Sequence, residues 1–127
     1  MAQKHGLAAH NAVATERRVA VFKALSHETR VRTVEILARE GEKCVCELVG
    51  RLGFDQSTIS KHLVVLKAAG VVASRKVGLN VIYRLKTPCV YQFIRCIDQM
   101  AEDAEYALSR SGVAAGSPSE RTTGAEL

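Results

Sequence analysis

Between residues 14 and 70 apolar side chains return every three or four positions, the repeat of an amphipathic helix; after Gly70 they return at every second position, the repeat of a strand. The pattern predicts four helices in the first stretch. Thr15 is a suitable cap for one reaching about Leu25, with Val19, Phe22 and Ala24 or Leu25 on its apolar side. Ser26 can cap a second, "HETRVRTVEILARE", which carries Val31, Val34 and Leu37 on one face and stops at Gly41. A short third helix runs from about Cys46 to Leu52 and ends at Gly53. Asp55 is a good cap for a fourth, about Gln56 to Ala69, with Ile59, Leu63 and Leu66 as its buried stripe and Gly70 as its stop. A tight "GFD" separates the third helix from the fourth, which is a helix-turn-helix in outline.

Beyond Gly70, "VVASRKV" and "VIYRL" alternate and are joined by "GLN", so they predict a two-stranded hairpin. Thr87 and Pro88 then open a last helix, proline being well suited to the first helical position. On it Val90, Phe93, Ile97, Met100, Ala104 and Ala107 recur at alternating spacings of three and four, the seam of a coiled coil. Such a stripe can cover the chain's own core or join two chains. The second is preferred because the stripe follows a complete helix-turn-helix and hairpin, and proteins that read two-fold DNA sites are dimers. The expected fold is mostly α with a small β-hairpin, a winged helix-turn-helix in the order α-α-α-α-β-β-α, paired as a homodimer through its terminal helices. One domain over residues 14–110 is expected between flexible ends, 1–13 and 111–127, that lack apolar periodicity.

Composition changes little, but charge changes a good deal. The chain has 127 residues, 47% of them apolar and 24% charged, the make-up of one globular domain. No apolar run approaches a membrane span or a signal peptide, so a cytoplasmic protein with no membrane partner is expected. The net charge of +5 is concentrated in residues 51–87, where seven Lys or Arg stand against one acidic residue. A basic block on a helix-turn-helix suits double-stranded operator DNA, since cations set on phosphates release condensed counterions. On the fourth helix Gln56, Ser57, Thr58, Ser60 and Lys61 lie away from the buried stripe at the N-terminal end, where recognition helices meet bases and phosphates. Ser and Thr there also serve as caps. Arg75, Lys76 and Arg84 on the hairpin are candidates for the phosphates or the minor groove, and His62, at the edge of the stripe, is assigned to packing.

Four cysteines remain: Cys44, Cys46, Cys89 and Cys96. In a reducing compartment they are expected as thiols rather than as a disulfide frame. Thiolates select soft or borderline ions. Cys44 and Cys46 form the strongest candidate pair, but side chains two apart on an ideal helix point about 200° apart. Either Cys44 lies in the turn before the third helix, or the helix start unwinds to bind. Cys89 and Cys96 lie on one side of the last helix, roughly 10 Å apart along its axis, and serve as further ligands or as small buried apolar residues. No nucleophile with a positioned base can be read, and Cys-Val-Cys lacks the two-residue spacing of thioredoxin-like enzymes, so no enzyme and no organic cofactor are expected.

In order, the segments "LSHETRVRTVEIL", "CVCEL", "STISKHLVVLKAAGVV" and "GLNVIYRL" resemble the ArsR/SmtB family of winged-helix metalloregulatory repressors over about Ala24 to Leu85. The resemblance implies a homodimer that sits on an operator and is released by a bound ion. It places Cys44 and Cys46 at the family's site for As(III) or Sb(III), the expected inducers, with Cd, Pb or Zn as alternatives. A thiol-redox or persulfide response of the same fold is the other alternative. The family's arsenic pattern has a third cysteine three residues after the second, and this chain has Val49 there.

Overall fold

The computed structural model describes residues 2–111, so the expected tail from 111 onward lies outside it except for Ser111. The elements follow the expected order with one addition: α1 (Ala2–Leu25), α2 (Glu28–Glu40), β1 (Lys43–Cys44), α3 (Val45–Leu52), α4 (Gln56–Ala68), β2 (Val72–Val77), β3 (Asn80–Leu85) and α5 (Cys89–Arg110). The chain divides into two units, Met1–Tyr91 and Gln92–Leu127.

In the first unit glycines end the helices where the sequence places them. Gly41 and Gly53 adopt φ of 86° and 81°, and their N–H groups return to the carbonyls of Leu37 and Val49. The core forms where α2, α3 and α4 meet. Ile36, Leu48, Leu52, Ile59 and Leu63 cluster, with Val45, Val49 and Tyr83 packed against them. The expected stripe of α4, Ile59, Leu63 and Leu66, is buried.

Three caps differ from expectation. The first helix begins at Ala2, not at Thr15; the Thr15 hydroxyl instead donates to the Asn11 carbonyl one turn back, at 2.8 Å. The segment 1–13, expected to be flexible, contains Ala8, Ala9 and Ala12, and alanine favours helix without needing an apolar stripe. The second helix is capped by His27, whose Nδ1 accepts from the Thr29 N–H at 3.1 Å, while the Ser26 hydroxyl donates to the Lys23 carbonyl. At α5 the Thr87 hydroxyl donates to the Gly70 carbonyl at 3.0 Å, tying the end of α4 to the segment after β3.

The hairpin is one strand larger than expected. β2 and β3 pair antiparallel from Val72↔Leu85 to Val77↔Asn80 around Gly78 and Leu79. β1 adds to the other edge of β3, with Lys43↔Tyr83 and Cys44↔Ile82, giving the order β1-β3-β2. A two-residue strand is too short for alternation to reveal.

The second unit is described by α5 up to Arg110 and by Ser111. Among the described residues no helix is long and apolar enough to cross a membrane.

Candidate thiol site and nucleic-acid interface

Cys44 is the last residue of β1 and the N-cap of α3, in extended conformation (φ −78°, ψ 166°). It therefore lies in the turn before the helix, the first of the two arrangements open from sequence. Because its backbone is extended, its side chain does not follow the helical progression, and it falls beside that of Cys46, the second residue of α3. The two are joined as a disulfide with a Cα–Cα distance of 5.4 Å, within the ordinary range. For this pair the expectation of separate thiols is corrected. Cys44 is buried and Cys46 exposed, so the pair opens to solvent on one side.

Cys44 also does a structural task. Its Sγ accepts from the Glu47 N–H at 3.4 Å, and a Glu47 carboxylate oxygen accepts from the Cys44 N–H at 3.1 Å, a capping box with sulfur in the place of a hydroxyl. Lys43 Nζ stands 3.9 Å from Glu40 and 3.8 Å from Glu47. One residue thus pairs with β3 through its backbone and, through its sulfur, caps α3 and bonds to Cys46.

A cavity of about 220 Å³ opens on the pair. Its far walls are Gln56, the first residue of α4, and Leu79, Asn80 and Val81, at the tip of the β2–β3 hairpin. The cysteine pair, the start of α4 and the tip of the β2–β3 hairpin therefore share one space. This link was not legible in sequence.

No third donor joins the pair: among the described residues no group of three or more His, Cys, Asp or Glu is placed to hold a metal ion. Val49, where the resemblance expects a third cysteine, packs against the core. Cys89 and Cys96 are free thiols, both exposed. Once the disulfide is reduced, two adjacent thiols fit a soft, thiophilic ion, with the rest of its valences left to solvent or a further thiol.

The expected DNA-facing residues divide into two groups. Asp55 caps α4, accepting from the Thr58 N–H at 2.9 Å and from the Ser57 hydroxyl at 3.4 Å. Hydrogen bonds from the Thr58 side chain and N–H, helped by Ser57 and the Lys61 charge, outweigh desolvation and hold the Asp55 carboxyl below its usual range. Ser57 and Thr58 are thus engaged in capping, while Gln56 and Lys61 stand exposed and Ser60 half-buried. On the sheet Arg75, Lys76 and Arg84 are exposed. Arg75 is ion-paired with Glu42, and Lys67 of α4 donates to Ser74 of β2 at 2.7 Å, a helix-to-wing tie that sequence reasoning missed.

His62, assigned to packing, does pack. Its ring lies 4.4 Å from that of His27 between centroids, and its Nδ1 is 3.2 Å from Arg30 Nη1, which fits neutral imidazole accepting from guanidinium. Arg30 also donates to the Ala24 carbonyl at 2.6 Å, so it holds α1, α2 and α4 together. Burial first, then the His27 and Arg30 charges, push the His62 pKa below the usual imidazole value.

Of the seam on α5, Val90 is buried, while Phe93, Ile97, Met100 and Ala104 are exposed on this chain. Val13, Val19 and Phe22 of α1 are exposed as well.

A model described as "Bacterial regulatory protein, arsR family" matches residues 27–74. Among curated relatives, the arsenic resistance transcriptional regulator ArsR1 of Pseudomonas putida is 44% identical over 84 residues, 66% of this chain and 65% of that protein. The HTH-type transcriptional regulator MJ1325 of Methanocaldococcus jannaschii is 36% identical over 85 residues, 67% of this chain and 96% of that protein. This chain thus spans slightly under two thirds of the arsenic regulator's length and nearly all of the archaeal protein's. Among solved structures, the homodimeric winged helix-turn-helix DNA-binding domain of Mb0332 from Mycobacterium bovis superposes with a TM-score of 0.67 at 26% identity, over 74% of this chain and 86% of that one. The AntR antimony-specific transcriptional repressor gives a TM-score of 0.63 at 30% identity, over 72% of this chain and 83% of that one.

Proposed function

This chain belongs to the arsR family of bacterial regulatory proteins, a family of transcriptional regulators and not of enzymes, and from that premise we propose that it is a homodimeric repressor released from operator DNA when Cys44 and Cys46 bind a thiophilic ion. Arsenite and antimonite are the foremost inducers in this reading, with cadmium, lead and zinc behind them. The observation that carries it is the adjacency of the two sulfurs at the junction of β1 and α3. The similarity to an arsenic regulator and to an antimony-specific repressor supports the choice of ion.

The bound ion acts through the cap. Cys44 Sγ holds the Glu47 N–H, and α3 shares its core with α4 through Leu48, Leu52, Ile59 and Leu63. An ion that draws on the sulfur lone pairs weakens that hydrogen bond and moves the start of α3. The shift passes through a close-packed core to α4 and through the Cys44↔Ile82 pairing to the wing. DNA is held in this reading by Gln56, Ser57, Thr58, Ser60 and Lys61 on α4 and by Arg75, Lys76 and Arg84 on the sheet. Arg75 must first leave Glu42. The exposed stripe of α5 forms a dimer contact in this reading, as the homodimer of the Mycobacterium bovis domain suggests.

The test is release of a fluorescent duplex, selected by the protein from random sequence, on titration with arsenite, antimonite, Cd(II), Pb(II) or Zn(II). The wild type should lose DNA affinity about 5- to 150-fold with an effective ion. Cys44→Ser and Cys46→Ser should abolish the response, whereas Cys89→Ser and Cys96→Ser should change it by less than about twofold. Normal release of Cys46→Ser with every ion would refute the proposal.

The disulfide itself favours a second reading, in which oxidation of the Cys44 and Cys46 thiols is the signal. Release by a mild oxidant without any ion, reversed by dithiothreitol, would decide for it.

A further inference from the structure

The register of the sheet sets Arg75 of β2, Ile82 of β3 and Cys44 of β1 in one row, and directly paired residues share a face. Arg84 lies two residues along β3 from Ile82 and so belongs to that face as well. Glu42 stands two residues before Cys44, so alternation brings its carboxylate to the same side. There it forms an ion pair with Arg75, reaching past the central strand from one edge of the sheet to the other. Both partners are exposed. The Glu42 carboxylate lies outside the core and caps no helix. On a surface that meets a polyanion, a carboxylate opposes binding.

On the reading of this chain as a DNA-binding repressor, whichever signal releases it, we propose that Glu42 is a positioning residue for operator binding. It holds the Arg75 guanidinium off the duplex in the free protein and so limits how much affinity that arginine adds. A phosphate and the Glu42 carboxylate offer a guanidinium the same kind of partner, two oxygens sharing a negative charge. They compete for it, and contact at Arg75 is an exchange of one anion for another. Because the ion pair is exposed, water and salt screen it. The exchange is therefore readily made, and Glu42 tunes the affinity without abolishing it.

The effect is specific to one arginine. Continuing the β1–β3 register by one residue sets Glu42 opposite Arg84, yet the ion pair is with Arg75. Glu42 is also held in place from both sides along the chain. Gly41 before it is the C-cap of α2, and Lys43 after it pairs with Tyr83 in the sheet. Its carboxylate is thus carried on a short turn between a helix and a strand, and Arg75 is carried on the strand at the far edge.

The experiment measures, by fluorescence anisotropy at several salt concentrations, the affinity of the full-length chain for the duplex it selects from random sequence. Dithiothreitol is present throughout, since the ion pair contains no sulfur. Wild type is compared with Glu42→Gln, Arg75→Gln and Arg84→Gln, and with Glu42→Gln combined with each arginine variant. All three positions are exposed, and circular dichroism checks that the fold is kept. Glu42→Gln should bind about two- to fivefold tighter than wild type, the range of an exposed ion pair. Its salt slope should be steeper by up to about one, because a freed cation reaches a phosphate. Arg75→Gln should bind about fivefold weaker, with a shallower slope. In the Arg75→Gln background Glu42→Gln should gain less than about 1.5-fold, only screened repulsion being left, whereas in the Arg84→Gln background the full gain should persist. Equal gains in the two backgrounds would mean that Glu42 acts only as a repelling charge, and no gain over wild type that the ion pair does not limit binding. Either result overturns the inference and leaves the repressor reading standing. If the chain selects no duplex, that reading falls and the inference with it.

Discussion

Two helices of this chain carry apolar stripes at three- and four-residue spacing, and the stripes end in opposite situations. On α4 Ile59, Leu63 and Leu66 are buried, Ile59 and Leu63 in a cluster with residues of α2 and α3. On α5 Phe93, Ile97 and Met100 stay exposed, Met100 to 67%. The cysteines divide along the same line: Cys44 and Cys46 are held together by a strand and a helix cap, whereas Cys89 and Cys96 are exposed free thiols. Periodicity tells that a face needs cover. It does not tell whether the cover comes from the same chain.

The largest effect should come from cutting each stripe. Leu63→Ala removes a fully buried side chain and should cost about 2 to 5 kcal/mol of folding stability in chemical denaturation. Ile97→Lys should leave the fold of the first unit intact by circular dichroism and instead raise the dimer dissociation constant at least about tenfold in sedimentation equilibrium. A monomer destabilised as strongly by Ile97→Lys as by Leu63→Ala would mean that both stripes serve the chain's own core.

A smaller effect separates the two tasks of Cys44. Cys44→Ala loses both the thiol and the cap, and should cost about 1 kcal/mol, roughly 4 to 8 °C in Tm for a domain of this size. Cys44→Ser keeps an acceptor at the N-cap, so its Tm should stay close to that of the reduced wild type while its response to arsenite is lost. Equal melting of the two variants would show that the sulfur is not the cap of α3.

The smallest is a pH dependence set by His62. Its folded pKa lies below the unfolded value of about 6.5, so the unfolded chain binds the extra proton more readily. The stability from neutral His62, which accepts from Arg30 and packs at a tilt against His27, is fully present above about pH 6.5. It declines as pH falls from there through the lowered folded value. His62→Gln should flatten the slope of Tm between about pH 7 and pH 5. An unchanged slope would place the titration elsewhere.

Much of this could be read directly from residues. Gly41 and Gly53 stop helices because glycine adopts positive φ without a Cβ penalty, and Asp55 caps α4 because a carboxylate one residue before a helix reaches its free N–H groups. The stripe of α4, the hairpin, the packing role of His62 and the closeness of two cysteines to a helix start were all legible, since each depends on residues near one another in sequence.

What escaped the sequence was decided by groups that are distant along the chain or by competition between neighbours. His27 displaces Ser26 as cap of α2, and Thr87 turns to the Gly70 carbonyl instead of capping α5. Lys43 and Cys44 become a strand only because β3 offers them an edge nearly forty residues later in the chain. That pairing holds Cys44 extended, and the extended backbone brings its sulfur to Cys46 and turns the pair toward Gln56 and Leu79. The sequence by itself determined where the two close cysteines stand and which segments form the helix-turn-helix, because those are properties of residue type and local period. Only the tertiary structure decided that the two share one cavity, because that depends on hydrogen bonds between strands that no local pattern encodes.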